Sequence, residues 1–212
     1  MGKFLKQNKV SKICYLHFIK SYKISISETD HQGKWQTDLT VNLCNSLIWK
    51  ARFSLIYKSS IDNKMRNFQF KFIHRKIATQ LYLCKIGVSE TPNCNFCDSH
   101  PQTLIHLFLK CINVTSLWNE IFTWLKSKNI RQCKLTDEEI CFGTLHLDQF
   151  YLVNTIILHA KYFIFLCKVQ NTSPLFKSFL SSIRHLEKTE RIIALKKNRF
   201  GLHEKKWQAL RS

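Results

Sequence analysis

Residues 94–111 read CNFCDSHPQTLIHLFLKC and contain three of the nine cysteines of the chain. Cys94 and Cys97 are separated by two residues, so both thiolates can approach one ion from a tight turn. His106 and Cys111 follow at ligand spacing and complete a Cys3His set, for which Zn²⁺ is the natural occupant. Three thiolates and one imidazole leave no obvious open coordination position. The sequence therefore predicts a structural zinc site that orders a polar loop.

The backbone between the last two ligands must depart from ideal helical geometry. In a regular α-helix, positions 106 and 111 lie about 140° apart around the axis, so the helix is predicted to become regular only after Cys111. His100 is an alternative ligand, three residues beyond Cys97. It precedes Pro101, which restricts it to extended backbone, and His106 is therefore favoured. An ordinary loop with core thiols and no metal is the competing interpretation.

Outside this stretch, the composition and the apolar periodicity favour helices. Five glycines and three prolines in 212 residues disfavour a turn-rich β-sandwich. Apolar side chains recur at three- and four-residue steps in the flanking segments. The helices predicted from these steps and from capping residues run from Met65 to Cys84, from Val114 to Leu125, from Thr136 to Phe142, from Asp148 to beyond Phe165, and from Ser173 to Gly201. Gly87, Gly143 and Gly201 are predicted to end the first, the third and the last of these helices. The predicted fold class is mainly α, a helical domain with a small Cys3His zinc-stapled loop insertion.

The charge distribution divides the chain. Residues 1–90 carry a net charge of +11, residues 91–170 of +1 and residues 171–212 of +7. The near-neutral middle is predicted to form the packed core of the protein. The two flanking segments are predicted to carry most of the positive electrostatic potential. Four segments follow from this pattern and from the motifs: a basic N-terminal leader (1–33), a helical basic segment (34–86), the zinc-binding segment with its following helix (87–125), and a helical C-terminal segment with a basic tail (126–212).

The net charge of +19 points to a polyanionic partner. Repulsion among so many positive side chains destabilises the folded state unless negative charge is supplied by a partner. The phosphates of a nucleic acid, RNA or DNA, would supply it. Cationic side chains that interleave with aromatic ones can neutralise phosphates while the rings stack on unpaired bases. The candidate nucleic-acid contacts are Lys71, Arg75, Lys76, Lys196, Lys197 and Arg199.

Neither a membrane nor a secretory location is predicted. The longest apolar stretch, Gln149–Ala160, is bounded by charges and is too short to span a bilayer. The N-terminal lysines are scattered, unlike those of a signal peptide. A cytoplasmic or nuclear location follows, in which the nine cysteines stay reduced. The cysteines outside the zinc set are predicted to be small buried residues: Cys14, Cys44, Cys84, Cys133, Cys141 and Cys167.

No catalytic constellation is predicted. A polymerase palm needs clustered carboxylates for two metal ions, and no two aspartates are adjacent in the sequence. Glu138 and Glu139 follow Thr136 and are interpreted as a capping box. All five glycines are isolated, so no phosphate-binding glycine loop is present. The chain alone is not expected to be an enzyme.

The zinc motif and its surroundings resemble the zinc-binding region near the carboxy terminus of reverse transcriptases from non-LTR (LINE-type) retrotransposons. The central matching residues are Cys94-x-x-Cys97, Thr103-Leu-Ile-His106-Leu-Phe108, Cys111 and Leu117-Trp118. Upstream, the matching residues are Lys34-Trp35-Gln36-x-Asp38-Leu39, Trp49 and Phe68-Gln-Phe-Lys-Phe-Ile-x-Arg75. Downstream, they are Phe142-Gly143, Ala160-Lys161-Tyr162-x-Ile164, Ser173-Pro174 and Glu187-x-x-Glu190.

The resemblance implies a part of a polyprotein whose palm and endonuclease lie elsewhere. In that family the region is thought to help hold element RNA and target DNA during target-primed reverse transcription. Two features depart from the family pattern: the chain opens with Met1, and Pro101-Gln102 stand where a glycine is usual. A separate protein, a truncated copy and a fragmentary gene model all remain open at this point. The alternative functions are a zinc-folded protein-interaction module and a decayed element copy without function.

Overall fold

The computed structural model describes residues 31–40, 55, 59–144 and 150–211. The helices in these ranges are α1 (His31–Leu39), α2 (Asn63–Ile73), α3 (Gln80–Lys85), α4 (Ile112–Ser127), α5 (Asp137–Phe142), α6 (Phe150–Gln170), α7 (Phe176–Lys196) and α8 (Phe200–Arg211). A π-helix, His106–Lys110, precedes α4. No strand occurs in the described ranges, where the β-contact is an isolated bridge between Asn93 and Pro101. The prediction of a mainly α fold with a zinc-binding loop is confirmed.

Helix α6 lies at the centre of the packing. It contacts α2 on one side and α7 and α8 on another, while α4 packs against α7. Its fully buried residues include Val153, Ile156 and Ile164. Residues 32–212 belong to one compact unit, and the division of the chain into four segments stays a prediction.

Helix α6 is as long and as apolar as a helix that crosses a membrane. Its part Tyr151–Gln170 is long and apolar enough to cross a membrane by length and composition, and 61% of the tested window is buried inside the fold. The predicted apolar stretch ended at Ala160 because Lys161 is charged, but the helix continues past that residue. Although Lys161 is charged, its side chain is only 1% exposed, and α6 is buried in the fold at this position.

The single helix predicted from Met65 to Cys84 is wrong. The structure has two helices there, α2 and α3, because α2 ends at Ile73. The Ile73 carbonyl accepts a hydrogen bond of 2.8 Å from the indole Nε1 of Trp35, instead of continuing the helix. Arg75 then takes a left-handed φ of 54°, and Thr79 caps α3 with its hydroxyl.

The predicted ends of the last helix are also wrong. Helix α7 begins after Leu175, because the Ser173 carbonyl accepts from the Leu175 N–H and does not start the helix. Asn198, with φ 51°, ends α7 through backbone bonds of the Schellman type. Gly201 lies inside α8.

Three local predictions are confirmed. Gly87 has φ 73° and ends α3. Thr136 and Glu139 form the full capping box at the start of α5. Gly143, with φ 87°, ends that helix, and a Cβ at this position would lie 2.7 Å from the Asn154 side-chain oxygen.

The cysteine prediction holds in part. Cys141 and Cys167 are buried, as expected. Cys133 is exposed because it lies in the loop between α4 and α5, and Cys84 is half-buried in α3. Some predictions fall outside the described residues: the leader up to residue 30, Trp49, the Asp148 helix cap, Cys14 and Cys44.

Candidate metal centre

The four predicted ligands meet at one point. The ligand atoms of Cys94, Cys97, His106 and Cys111 all lie within 4.8 Å of one another. The Cys94 and Cys111 sulfurs are 3.9 Å apart, and the Cys97 sulfur lies 3.3 Å from His106 Nε2. Tetrahedral zinc with ordinary bond lengths would separate two sulfurs by about 3.8 Å and a sulfur from a nitrogen by about 3.6 Å. The donor set fits zinc in both chemistry and spacing.

A tight turn presents the first two sulfurs. The Cys94 N–H donates to the His100 carbonyl at 2.9 Å, and the Cys94 carbonyl accepts from the Asp98 N–H at 2.8 Å. Asp98 has φ 54°, a conformation that Asp tolerates better than most residues. The bridge between Asn93 and Pro101 closes the loop behind the turn. The two thiols therefore point to one side of a short, backbone-bonded loop.

The π-helix aligns the other two ligands. The Cys111 N–H donates to the His106 carbonyl at 2.8 Å, a bond between residues five apart. This wider turn brings His106 and Cys111 to the same side, which an α-helix would not do. The predicted departure from ideal geometry is confirmed, and the regular helix α4 begins immediately after Cys111. Thr103 holds the start of the turn, where its hydroxyl accepts from the His106 N–H at 3.0 Å.

Neighbouring polar groups surround the sulfurs. Gln102 Nε2 lies 3.6 Å from the Cys94 sulfur and can donate to it. Backbone N–H groups of residues 99 and 100 lie close to the Cys97 sulfur, and those of residues 113 and 114 lie close to the Cys111 sulfur. Such donors stabilise thiolates that bind a metal.

Burial and these donors set the protonation of the ligands. Burial raises the pKa of the Cys111 thiol to about 12. Burial acts in the same direction on Cys97, but the surrounding hydrogen bonds prevail and its pKa lies below the ordinary value. Burial, with the charge of neighbouring His100, lowers the pKa of His106, which favours the neutral imidazole that a metal requires.

His100 lies beside the centre and outside the four-atom cluster. Its ring is stacked on that of His106, with the ring centroids 5.6 Å apart, and the residue is exposed. Its carbonyl, by contrast, accepts the bond from Cys94 that shapes the turn. In the structure, His100 therefore contributes its backbone to the loop, while the His106 imidazole completes the cluster.

The π-helix also attaches the centre to the helical body. Leu107 and Phe108 are fully buried, and the Phe108 ring meets those of Phe68 and Phe72 on α2. The Trp118 indole donates to the Phe108 carbonyl at 2.9 Å. One face of this short segment carries ligands, and the other is part of the core.

The predicted nucleic-acid contacts fall into two separate groups. Lys71 and Lys76 are exposed, whereas Arg75 pairs with Asp38 and lies 4.7 Å above the Trp35 ring. Lys196, Lys197 and Arg199 are exposed around the turn between α7 and α8. Arg75 and Lys76 line one groove together with Tyr82 and Lys85, two residues outside the predicted set of nucleic-acid contacts. Their separation in sequence, on either side of the α2–α3 break, hid this grouping.

A comparison with known families supports the zinc assignment. Residues 34–118 match the family described as zinc-binding in reverse transcriptase, and this range contains all four ligands. The match supports a reverse-transcriptase-associated zinc-binding domain in this part of the chain. No curated protein matches the chain.

Proposed function

We propose that the chain is a zinc-stabilised, non-catalytic accessory module of a LINE-type reverse transcriptase that binds RNA or DNA during target-primed reverse transcription. One observation carries the proposal: the Cys3His cluster lies inside the range that matches the reverse-transcriptase zinc-binding family. The LINE-type assignment draws its support from the motifs on both sides of the cluster. A cytoplasmic or nuclear location suits such a module.

The zinc ion has a structural role in this proposal. Four protein donors would fill its coordination shell, and the ion would supply the free energy that holds the polar loop against the core. The loop buries few apolar side chains before Leu104, so it has little other stabilisation. Metal removal is expected to loosen residues 87–125 first.

Nucleic-acid binding is supported by charge. The net charge of +19 would be neutralised by phosphates, with release of counterions and little dependence on base sequence. Five of the six candidate cations are exposed, and the sixth, Arg75, is half-buried in its ion pair with Asp38. The polymerase and endonuclease activities would come from the remainder of the polyprotein.

The experiment measures the affinity of the whole zinc-loaded chain for a labelled single-stranded oligonucleotide over a range of salt concentrations. If six phosphates are neutralised, the slope of log affinity against log salt is expected to be about −4. A double variant, Lys196→Ala with Lys197→Ala, should make the slope shallower by about 1.4, whereas Lys126→Ala, outside the candidate set, should leave it unchanged. A flat response at micromolar protein would refute the proposal, and binding of an acidic protein in place of RNA would favour the interaction module.

A further inference from the structure

A groove of about 420 Å³ lies beside the metal centre. One wall is formed by residues 75–85, which comprise the segment after α2 and helix α3 itself. Thr103 and Leu104 form the other wall. The volume falls within the range of about 300–1,000 Å³ that is typical of small-molecule sites. Buried Ile77 and Leu104 supply an apolar floor.

The rim of the groove is positively charged. Arg75, Lys76 and Lys85 line it, and among the lining residues that the structure describes none carries a carboxylate. Asp38 neutralises Arg75 in part, whereas Lys76 and Lys85 are exposed. The groove thus combines cations at its edge with an apolar interior, which suits a flat aromatic ligand that carries anionic groups.

Tyr82 adds an aromatic surface. It lies on the wall and is 55% exposed, so a ligand can reach it. Two hydroxyls lie close by, on Thr79 and Thr103. Each accepts a bond from a backbone N–H, of Tyr82 and His106 respectively.

We infer that this groove binds an unpaired base of a single-stranded nucleic acid, with Tyr82 stacking on the base and Lys76 and Lys85 contacting the flanking phosphates. The inference rests on the proposed function and assigns it a site. A duplex cannot use the groove in this way, because its bases are already stacked and paired.

The groove is connected to the metal centre through Gln102. The Gln102 side-chain oxygen accepts from the Gln80 N–H at 3.0 Å, and its carbonyl accepts from the Leu81 N–H at 3.4 Å. The same side chain lies 3.6 Å from the Cys94 sulfur. Residue 102 therefore joins the wall that carries Tyr82 to a metal ligand, and loss of zinc is expected to weaken base binding.

The test measures fluorescence anisotropy of labelled oligonucleotides of about 16 nucleotides with the whole chain, as single-stranded RNA, single-stranded DNA and duplex. Tyr82→Ala should weaken single-strand binding about 5- to 150-fold with an unchanged salt slope, and Tyr82→Phe should restore most of the affinity. Lys85→Ala should instead make the salt slope shallower by about 0.7. Tyr151→Ala, at an exposed tyrosine that does not line the groove, is the matched control.

Each outcome bears on one of the two proposals. Equal affinity of Tyr82→Ala and the parent chain, with normal salt dependence, would overturn the groove assignment and leave the proposed function standing. Duplex binding as tight as single-strand binding would also overturn it. Absence of binding to all three oligonucleotides would refute the proposed function itself.

Discussion

Replacing Lys161 by Met tests how the core tolerates a charged group. The Lys161 ammonium donates to the Cys141 carbonyl at 2.6 Å and lies 4.5 Å from the centre of the Phe72 ring. The residue is 1% exposed, and burial lowers its pKa from 10.5 to about 7. Methionine has a similar length and no charge, and the Cys141 carbonyl keeps its other donor, Gln69 Nε2 at 2.9 Å.

The magnitude follows from this difference in pKa. At about 1.4 kcal/mol per tenfold change, the fall from 10.5 to about 7 corresponds to about 5 kcal/mol. Attraction between the ammonium and the Phe72 ring stabilises the charged form by about 2 kcal/mol, so the penalty is about 3 to 5 kcal/mol. Because the folded state binds fewer protons than the unfolded state, the penalty is complete below about pH 7 and disappears as the pH rises to about 10.5.

Urea unfolding of the zinc-loaded, reduced chain, followed by far-ultraviolet circular dichroism, measures the effect. Lys161→Met should be more stable than the parent by about 3 to 5 kcal/mol near pH 6, and the difference should shrink by about 1.4 kcal/mol per pH unit above about pH 7. Subtraction of the parent removes the pH dependence shared by both chains. The exposed Lys126→Met variant should show no such trend. A difference that is constant with pH would refute the reasoning.

Two further predictions concern the zinc ligands and the capping box. The purified chain should contain about one zinc ion, measured by metal analysis. Cys97→Ser and His106→Ala should lose the ion, and His100→Ala should retain it. Retention in His106→Ala with loss in His100→Ala would identify His100 as the ligand in place of His106. Thr136→Ala should lower the free energy of unfolding by about 1 kcal/mol because it removes the acceptor for the third helical N–H. Thr123→Ala, within a helix and exposed, should change it by less than about 0.5 kcal/mol, and equal effects of the two variants in urea unfolding would contradict the capping argument.

The metal cluster was predictable because its geometry is set by short spacings. Cys94 and Cys97 lie in one turn of the backbone, and His106 and Cys111 lie in one turn of helix. Because each pair is so close in sequence, the backbone itself holds its two side chains near each other. The departure from α-helical geometry between His106 and Cys111 followed from their five-residue spacing, and the structure shows that it takes the form of a π-helix. The capping box at Thr136 was equally accessible, since its partner is three residues away.

The break between α2 and α3 was not predictable in this way. The apolar periodicity continues across it, and the cause is Trp35, whose indole reaches the Ile73 carbonyl from 38 residues away in sequence. The end of α7 was misplaced for a different reason. The helix was predicted to end at Gly201, but Asn198 takes the left-handed conformation that ends it, and asparagine is the residue that most often replaces glycine in that role.

The amino-acid sequence alone determined the helical class, the four residues of the Cys3His cluster and the helix ends at Gly87 and Gly143, because each depends on residues close together along the chain. The tertiary structure decided where the long helical segments are interrupted, the enclosure of Lys161 by α2 and α5, and the grouping of Tyr82 and Lys85 with Arg75 and Lys76 around one groove. These arrangements depend on contacts between residues distant in sequence, and local periodicity carries no information about which distant side chain will compete for a given carbonyl or cover a given surface.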